Sequence, residues 1–299
     1  MESNSLVTIL TATRNRAGLI HRCIESIQKQ TYRNYEHIII DGSSEDNTEE
    51  VVKSYKDSHI KYIKLSEYGP EIQMKAGFEA STGSLIAFLD DDDEYLPDKI
   101  EKQVKAVQQL PEEYGMVYCW MTYYSNDDPD TPLRVHCPNY SGWVKEIAVA
   151  ENKISGTPTL LVKRDIIERI GGVYQDYHCG LPGADVHLAT RICSVCKVKC
   201  MPESLVKVYV NHGTSRLSDN NDKEFFKNSI KFHRCFLNDF PEVFEKSPKL
   251  ANYHLYYITR FCFKLGDYKN GFLSFEKLLK TSPSITQLRN VFAAILLRK

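Results

Sequence analysis

The stretch Ser84-Leu85-Ile86-Ala87-Phe88-Leu89-Asp90-Asp91-Asp92-Asp93-Glu94 decides how this chain folds. An apolar run of strand length empties into four consecutive aspartates, and Pro97 then opens a helical segment over Asp98–Gln109. A buried strand thus delivers carboxylates to the edge of a sheet. Adjacent anions repel one another unless positive charge sits among them, and a divalent cation supplies it. A calcium loop has some arithmetic in its favour, because Asp90, Asp92, Glu94 and Glu101 fall at its first, third, fifth and twelfth positions. Tyr95 occupies the sixth position, where that turn needs glycine, and a strand precedes it, so the reading fails.

Outward from this stretch, strand and helix alternate. Leu6–Thr11 reads as a first buried strand, and Ile20, Cys23, Ile24 and Ile27 recur at helical spacing after it. Tyr35–Ile40 is a second strand, ending at Asp41-Gly42-Ser43-Ser44-Glu45-Asp46-Asn47-Thr48, and a helix follows over Thr48–Tyr55. Ile60–Leu65 is a third strand, Ile72–Glu79 a helix, and Leu85–Leu89 the strand of the opening. The economical fold is α/β and Rossmann-like, a mostly parallel sheet with helices on both faces. Ligands in such folds collect at the carboxyl ends of strands, where Thr13, Asp41 and Asp90 stand.

The rhythm changes after Gln109. Met116–Tyr124 is a further strand, and Ser125–Asn139 reads as a polar, proline-bearing loop of a length suited to a substrate flap. Thr157–Val162 is a strand leading into the helix Arg164–Ile170, which stops at Gly171-Gly172. The loop Tyr177–Asp185 starts a helix that runs through Arg191 toward Val195, and Leu205–Val210 is a strand discharging into His212–Arg216. From Asp222 the pattern is helical, with about four helices expected. The division expected is a sheet domain over residues 1–216 and a helical region over residues 217–299. Within the sheet domain, residues 1–110 form one part and residues 111–216 a second, and the family resemblance set out below implies that these bind nucleotide and acceptor respectively.

Composition sets bounds. Lys+Arg 38 against Asp+Glu 39 gives no argument for a nucleic-acid partner. The sequence holds no apolar run of the roughly 18 residues that span a bilayer, and Met1–Ser5 lacks the basic start of a signal peptide. Nine cysteines, an odd number, suit reduced thiols, so a cytoplasmic setting is expected. Cys193 and Cys196 fall on an amphipathic helix with Leu188, Ile192 and Val195, which makes core packing the better account of them than a zinc site.

Thr11-Ala12-Thr13-Arg14-Asn15-Arg16, Asp41 through Thr48, Gly83 through Leu96, and Asp185 followed by Arg191 together resemble the family 2 inverting glycosyltransferases of the GT-A fold. The resemblance covers roughly residues 5 to 216 in consistent order. It implies transfer of a sugar from a UDP-sugar to an acceptor hydroxyl, with inversion, in surface polysaccharide, capsule or lipopolysaccharide assembly. By the same resemblance Thr13, Asp41, Asp90 and Asp91 contact the nucleotide. Asp90-Asp91-Asp92 matches the DXD motif, with Asp92 and the late-loop His212 as ligands of Mn²⁺ or Mg²⁺. Asp93 and Arg191 face the donor sugar, and Asp185 is the catalytic base. Gly42 stands where many members have a second aspartate, Arg14 where a tyrosine is common, and Lys75 near a position often filled by asparagine.

The chemistry agrees. Loss of a nucleoside diphosphate builds charge on phosphate oxygens, which hard, oxygen-bound Mg²⁺ or Mn²⁺ neutralises. Single-step inversion needs a base for the acceptor hydroxyl, and a carboxylate such as Asp185 serves within hydrogen-bond reach. Two other functions stay open. One is a sugar-phosphate nucleotidyltransferase, against which Thr11–Arg16 counts because it has no glycine; the other is a non-catalytic nucleotide-sugar-binding protein. The acceptor expected is a saccharide or lipid-linked saccharide. The apolar run Val291–Leu297 before Arg298-Lys299 either docks on the catalytic domain or lies on an anionic membrane surface at the inner face of the membrane. The sequence leaves the oligomeric state open.

Overall fold

A computed structural model describes residues 5–150, 154, 156–174, 183–210 and 223–297. These form two compact units, drawn from Met1–Val144, Ile154–Cys179 and Leu188–Gly213 in the first, and from Lys145–Lys153, Gly180–His187 and Thr214–Lys299 in the second.

The first unit is built on one sheet. β1 (Val7–Thr13), β2 (Tyr35–Asp41), β3 (Ile60–Lys64) and β4 (Leu85–Phe88) run parallel in the order β3-β2-β1-β4, linked by α1 (Ile20–Gln28), α2 (Thr48–Ser54) and α3 (Pro70–Glu79). The apolar runs of β1, β2 and β4 follow from burial on both faces: Val7, Ile9, Leu10, Ile38, Ile39, Ile40, Ile86 and Ala87 are fully buried. β5 (Glu94–Tyr95) and α4 (Lys99–Gln109) follow the aspartates, and the sheet continues through β6 (Tyr114–Ser125), β7 (Asp128–His136), β8 (Leu160–Lys163) and β9 (Lys197–Val210). β8 lies antiparallel between β4 and β6, β6 pairs parallel with β9, and β9 pairs antiparallel with β5. α6 (Arg164–Arg169) follows β8, and α7 (Ala184–Val195) supplies residues to both units. Cys193 and Cys196 are buried on α7, as core packing requires.

One expectation is corrected here. Ser125–Asn139 is not a loop, because Asp128–His136 pairs antiparallel with Met121–Ser125 as the second arm of a hairpin. The strand escapes a reading by pattern because almost all of its residues are exposed, so neither face carries a core alternation. Pro129 and Pro132 are tolerated because β7 has a partner on one side only. β9 also begins earlier than Leu205, at Lys197.

The second unit is helical. It holds α5 (Lys145–Ala150), α8 (Lys223–Asp239), α9 (Pro241–Lys246), α10 (Asn252–Lys264), α11 (Tyr268–Leu279) and α12 (Ile285–Leu297), so five α-helices rather than four follow β9 among the described residues. α10 is its hub, packing on α8, α11 and α12. α10 and α11 approach closely because Gly271 has no side chain; a Cβ there would sit 2.7 Å from Phe263 Cε1. Among the described residues no helix is long and apolar enough to cross a membrane.

Candidate active site

The polar run Asp41–Thr48 is a scaffold for the loop after β1. Asn15 adopts φ 51°, a left-handed conformation that asparagine tolerates, and its side-chain oxygen accepts from the Glu45 amide at 2.8 Å. The Asn15 amide in turn donates to Ser44 Oγ at 2.8 Å, the Arg16 amide to Thr48 Oγ1 at 3.1 Å, and the Ala17 amide to Asp46 Oδ2 at 3.2 Å. Asp41 is fully buried and accepts from the Ser44 amide at 2.7 Å and from the Tyr62 hydroxyl. Backbone groups that water would otherwise solvate are thereby satisfied, and Thr13–Arg16 is held as one rigid edge.

The aspartates lie beside that edge and have different environments. Asp90 is exposed, whereas Asp91, Asp92 and Asp93 are buried. One carboxylate oxygen each from Asp90, Asp92 and Asp93 falls within 4.8 Å of the others, a cluster of hard donors that fits Mg²⁺ or Mn²⁺. Asp91 points another way, accepting from Thr13 Oγ1 at 2.7 Å. Burial first, and then the Asp92 charge, push its carboxyl up to about 7, against the opposing effects of Arg16 and the Thr13 hydroxyl. Arg16 Nη1 stands 3.3 Å from Asp92 Oδ2. Arg22 donates to the Asp92 carbonyl at 3.1 Å and to Asn126 Oδ1 at 2.9 Å, with its guanidinium 3.7 Å from the centre of the Tyr209 ring. The Tyr209 amide donates to Asp93 Oδ1 at 3.0 Å. Asp93 therefore belongs with Asp90 and Asp92 in one carboxylate group, and two arginines and a β9 amide hold the group in place.

A cleft of about 360 Å³ opens alongside, lined by Thr13, Arg14, Arg16, Tyr68, Gln73 and Asp91 among others. Its far wall explains two departures from the family pattern. Arg14 lies over the ring of Tyr68, 4.6 Å from its centre. A Cβ on Gly42 would fall 2.8 Å from Tyr68 Cδ2 and 2.9 Å from Gln73 Cδ, so glycine at 42 is what lets both side chains close against the backbone. Gln73, 1% exposed, donates to the carbonyls of Thr13 at 2.9 Å and Ile40 at 2.7 Å, tying α3 to the ends of β1 and β2. Sequence reasoning missed Tyr68, Gln73, Arg16 and Arg22; a glutamine among the apolar positions of α3 is the signal that marks one of them.

Asp185 sits in the first turn of α7, where the helix dipole favours a negative group, and burial raises its carboxyl above the usual range. It belongs to the second unit, the aspartate loop to the first. Arg191, 7% exposed, donates to the carbonyls of Ile170, Gly172 at 3.2 Å and Val173 at 3.3 Å, closing the C-terminus of α6. His212 lies outside the described residues.

The site is thus an open cleft beside a cluster of acids at the carboxyl ends of parallel strands in an α/β sheet. Residues 8–161, more than half of the chain, match the model of "Glycosyl transferase family 2", and the chain belongs to that family. It is 28% identical over 277 residues to an "Uncharacterized glycosyltransferase" of Rickettsia felis, covering 90% of this chain and 43% of that protein. The chain thus spans less than half the length of this relative. Two solved structures share the GT-A fold. Residues 1–349 of S. aureus TarS in complex with UDP-GlcNAc superpose with a TM-score of 0.68 at 14% identity, over 98% of this chain and 85% of that one. The mannosyltransferase PcManGT of Pyrobaculum calidifontis, in complex with GDP-Man and Mn²⁺, gives 0.57 at 18% identity, over 97% and 79%.

Proposed function

We propose that this chain transfers a hexosyl or N-acetylhexosaminyl group from a UDP-sugar to an acceptor hydroxyl, with inversion, in the assembly of a cell-surface glycan. The observation that carries the reading is the carboxylate group Asp90–Asp92–Asp93 at the rim of a cleft walled by Thr13, Arg14 and Tyr68. In it, Asp92 with its two neighbours holds Mn²⁺ or Mg²⁺, which when bound neutralises the diphosphate's developing charge. Thr13 and Asp91 line the nucleotide side, Asp41 fixes the loop that faces it, and the Tyr68 ring offers the base a stacking surface. Asp185 accepts the proton of the acceptor hydroxyl, a role favoured by its raised basicity. Arg191 shapes the donor-sugar side by fixing the turn after α6.

Residues 1–216 carry the chemistry in this reading, and the helices of residues 217–299 meet the acceptor's surroundings. Phe272, Leu273, Leu279, Ile285, Phe292 and Leu296 are exposed on α11 and α12, with Lys269, Lys280 and Arg289 exposed among them. Such a face suits peripheral contact with an anionic bilayer that carries a lipid-linked saccharide.

Calorimetry with a panel of nucleotide-sugars and Mn²⁺ tests the reading. UDP-sugars are expected to bind in a manner abolished by EDTA and by Asp92→Ala. Asp185→Asn is expected to keep donor binding and lose transfer. Binding indifferent to both EDTA and Asp92→Ala, or full transfer by Asp185→Asn, would overturn it.

A further inference from the structure

The second unit contains a cavity of about 250 Å³ that the proposed transfer chemistry does not use. Aromatic rings make most of its wall: Phe225, Phe232, Phe236, Phe261, Tyr253 and Tyr257. The recess opens to solvent, so a small molecule can enter it from outside.

Two histidines give the cavity its polarity, and their protons can be placed. His254 Nε2 lies 2.7 Å from the Val149 carbonyl, which can only accept, so Nε2 carries the hydrogen. Burial keeps both rings neutral, lowering His254 to about 4 and His233 well below its ordinary value. A neutral His254 protonated at Nε2 has a bare Nδ1, and that atom is 3.1 Å from His233 Nδ1. His233 therefore donates through Nδ1, which leaves its Nε2 as a bare lone pair. No hydrogen-bond partner for that nitrogen is found among the described residues, although His233 is only 6% exposed. Its ring lies parallel to Tyr257, with centroids 5.0 Å apart and planes 5° apart, so its orientation is fixed. Among the described residues lining the cavity, none carries a formal charge.

We propose that this cavity binds a neutral ring compound bearing one O–H or N–H donor, of phenol or indole type, held by stacking on the aromatic wall and by a hydrogen bond to His233 Nε2. The wall offers ring faces and edges for stacking. A ligand that can donate a hydrogen bond to this nitrogen gains over one that cannot. Among the described lining residues none would compensate an ion's lost hydration, which favours a neutral ligand.

The test uses the full chain with phenol, indole and, as a ring without a donor, toluene. Phenol and indole are expected to bind saturably, about tenfold more tightly than toluene. Phenol is also expected to shift the ¹⁵N resonance of His233 Nε2 while leaving His254 Nε2 in place. Ser229→Leu, on the cavity wall, should block all three. Absence of saturable phenol binding to the unmodified chain overturns the proposal. So does binding in which phenol has no advantage over toluene and the His233 resonance does not move, a readout that needs no variant to fold.

Discussion

Arg16 Nη1 lies 3.3 Å from Oδ2 of Asp92, one of the three members of the carboxylate cluster. The guanidinium occupies part of the electrostatic role that a divalent cation would take. Arg16→Met removes this competitor, and Mn²⁺ titration without nucleotide, followed by electron paramagnetic resonance, is expected to show binding tightened by about fivefold, corresponding to roughly 1 kcal/mol for a partly exposed pair. Unchanged Mn²⁺ affinity would place the ion away from Asp92.

Gly42 and Tyr68 are coupled through space. Gly42→Asp restores the residue common at that position, yet its Cβ would meet the Tyr68 ring at 2.8 Å and Gln73 at 2.9 Å. The expected cost is about 1–3 kcal/mol of overpacking, read by urea denaturation. Tyr68→Ala relieves the clash at the ring, so the double variant should recover part of that stability while binding UDP several-fold more weakly than the unmodified chain.

Lys99 is fully buried, with Nζ 2.7 Å from Gln103 Oε1 and 3.8 Å from the centre of the Tyr95 ring. Burial lowers it from an ordinary 10.5 to about 8. The unfolded chain therefore binds the extra proton between pH 8 and 10.5, and stability rises with pH across that window. Below pH 8 the cost is fully present, roughly 3 kcal/mol. Lys99→Met is expected to stabilise the chain by about 2 kcal/mol at pH 7 and to flatten the alkaline slope; thermal unfolding at pH 7 and pH 9.5 checks both.

Arg191 forks onto three carbonyls at the end of α6. Arg191→Met leaves these acceptors without their donor and is expected to destabilise the chain by roughly 3 kcal/mol, measured by chemical denaturation. Arg191→Lys should rescue only a fraction, because an ammonium cannot reproduce the planar fork.

The exposed apolar side chains of α11 and α12 predict binding to vesicles containing anionic lipid and weak binding to neutral ones. Replacing Phe292 and Leu296 together by serine should reduce flotation with anionic vesicles by about tenfold, while UDP binding stays unchanged.

How much of this the sequence discloses depends on what each residue touches. β1, β2 and β4 are legible because burial on both faces writes a mostly apolar run into the chain, whereas the edge strand β3 is half-buried and alternates Ile-Lys-Tyr-Ile-Lys. β7 carries no such mark, since Leu133 and Val135 face solvent. The aspartates announce themselves as a cluster, but their division does not: it is set by Thr13, 78 residues from Asp91, and by Tyr209, 116 residues from Asp93. Periodicity within a window reports local structure, and these bonds lie outside any window. Gly42 is legible only in reverse, as an absent side chain whose purpose becomes visible once Tyr68 and Gln73 are seen against it.

The bond from the Tyr209 amide to Asp93 also sets an order of events. β9 is the last strand of its sheet in the chain and pairs with β6, which precedes it by some eighty residues, so its docking waits on a long loop closure. During synthesis β1 to β4 can come together while the acids still lack their β9 anchor. A nascent chain shorter than about 210 residues has most of the sheet but no completed acidic edge. The acidic edge is thus completed only when β9 docks, a later event than the pairing of β1 to β4.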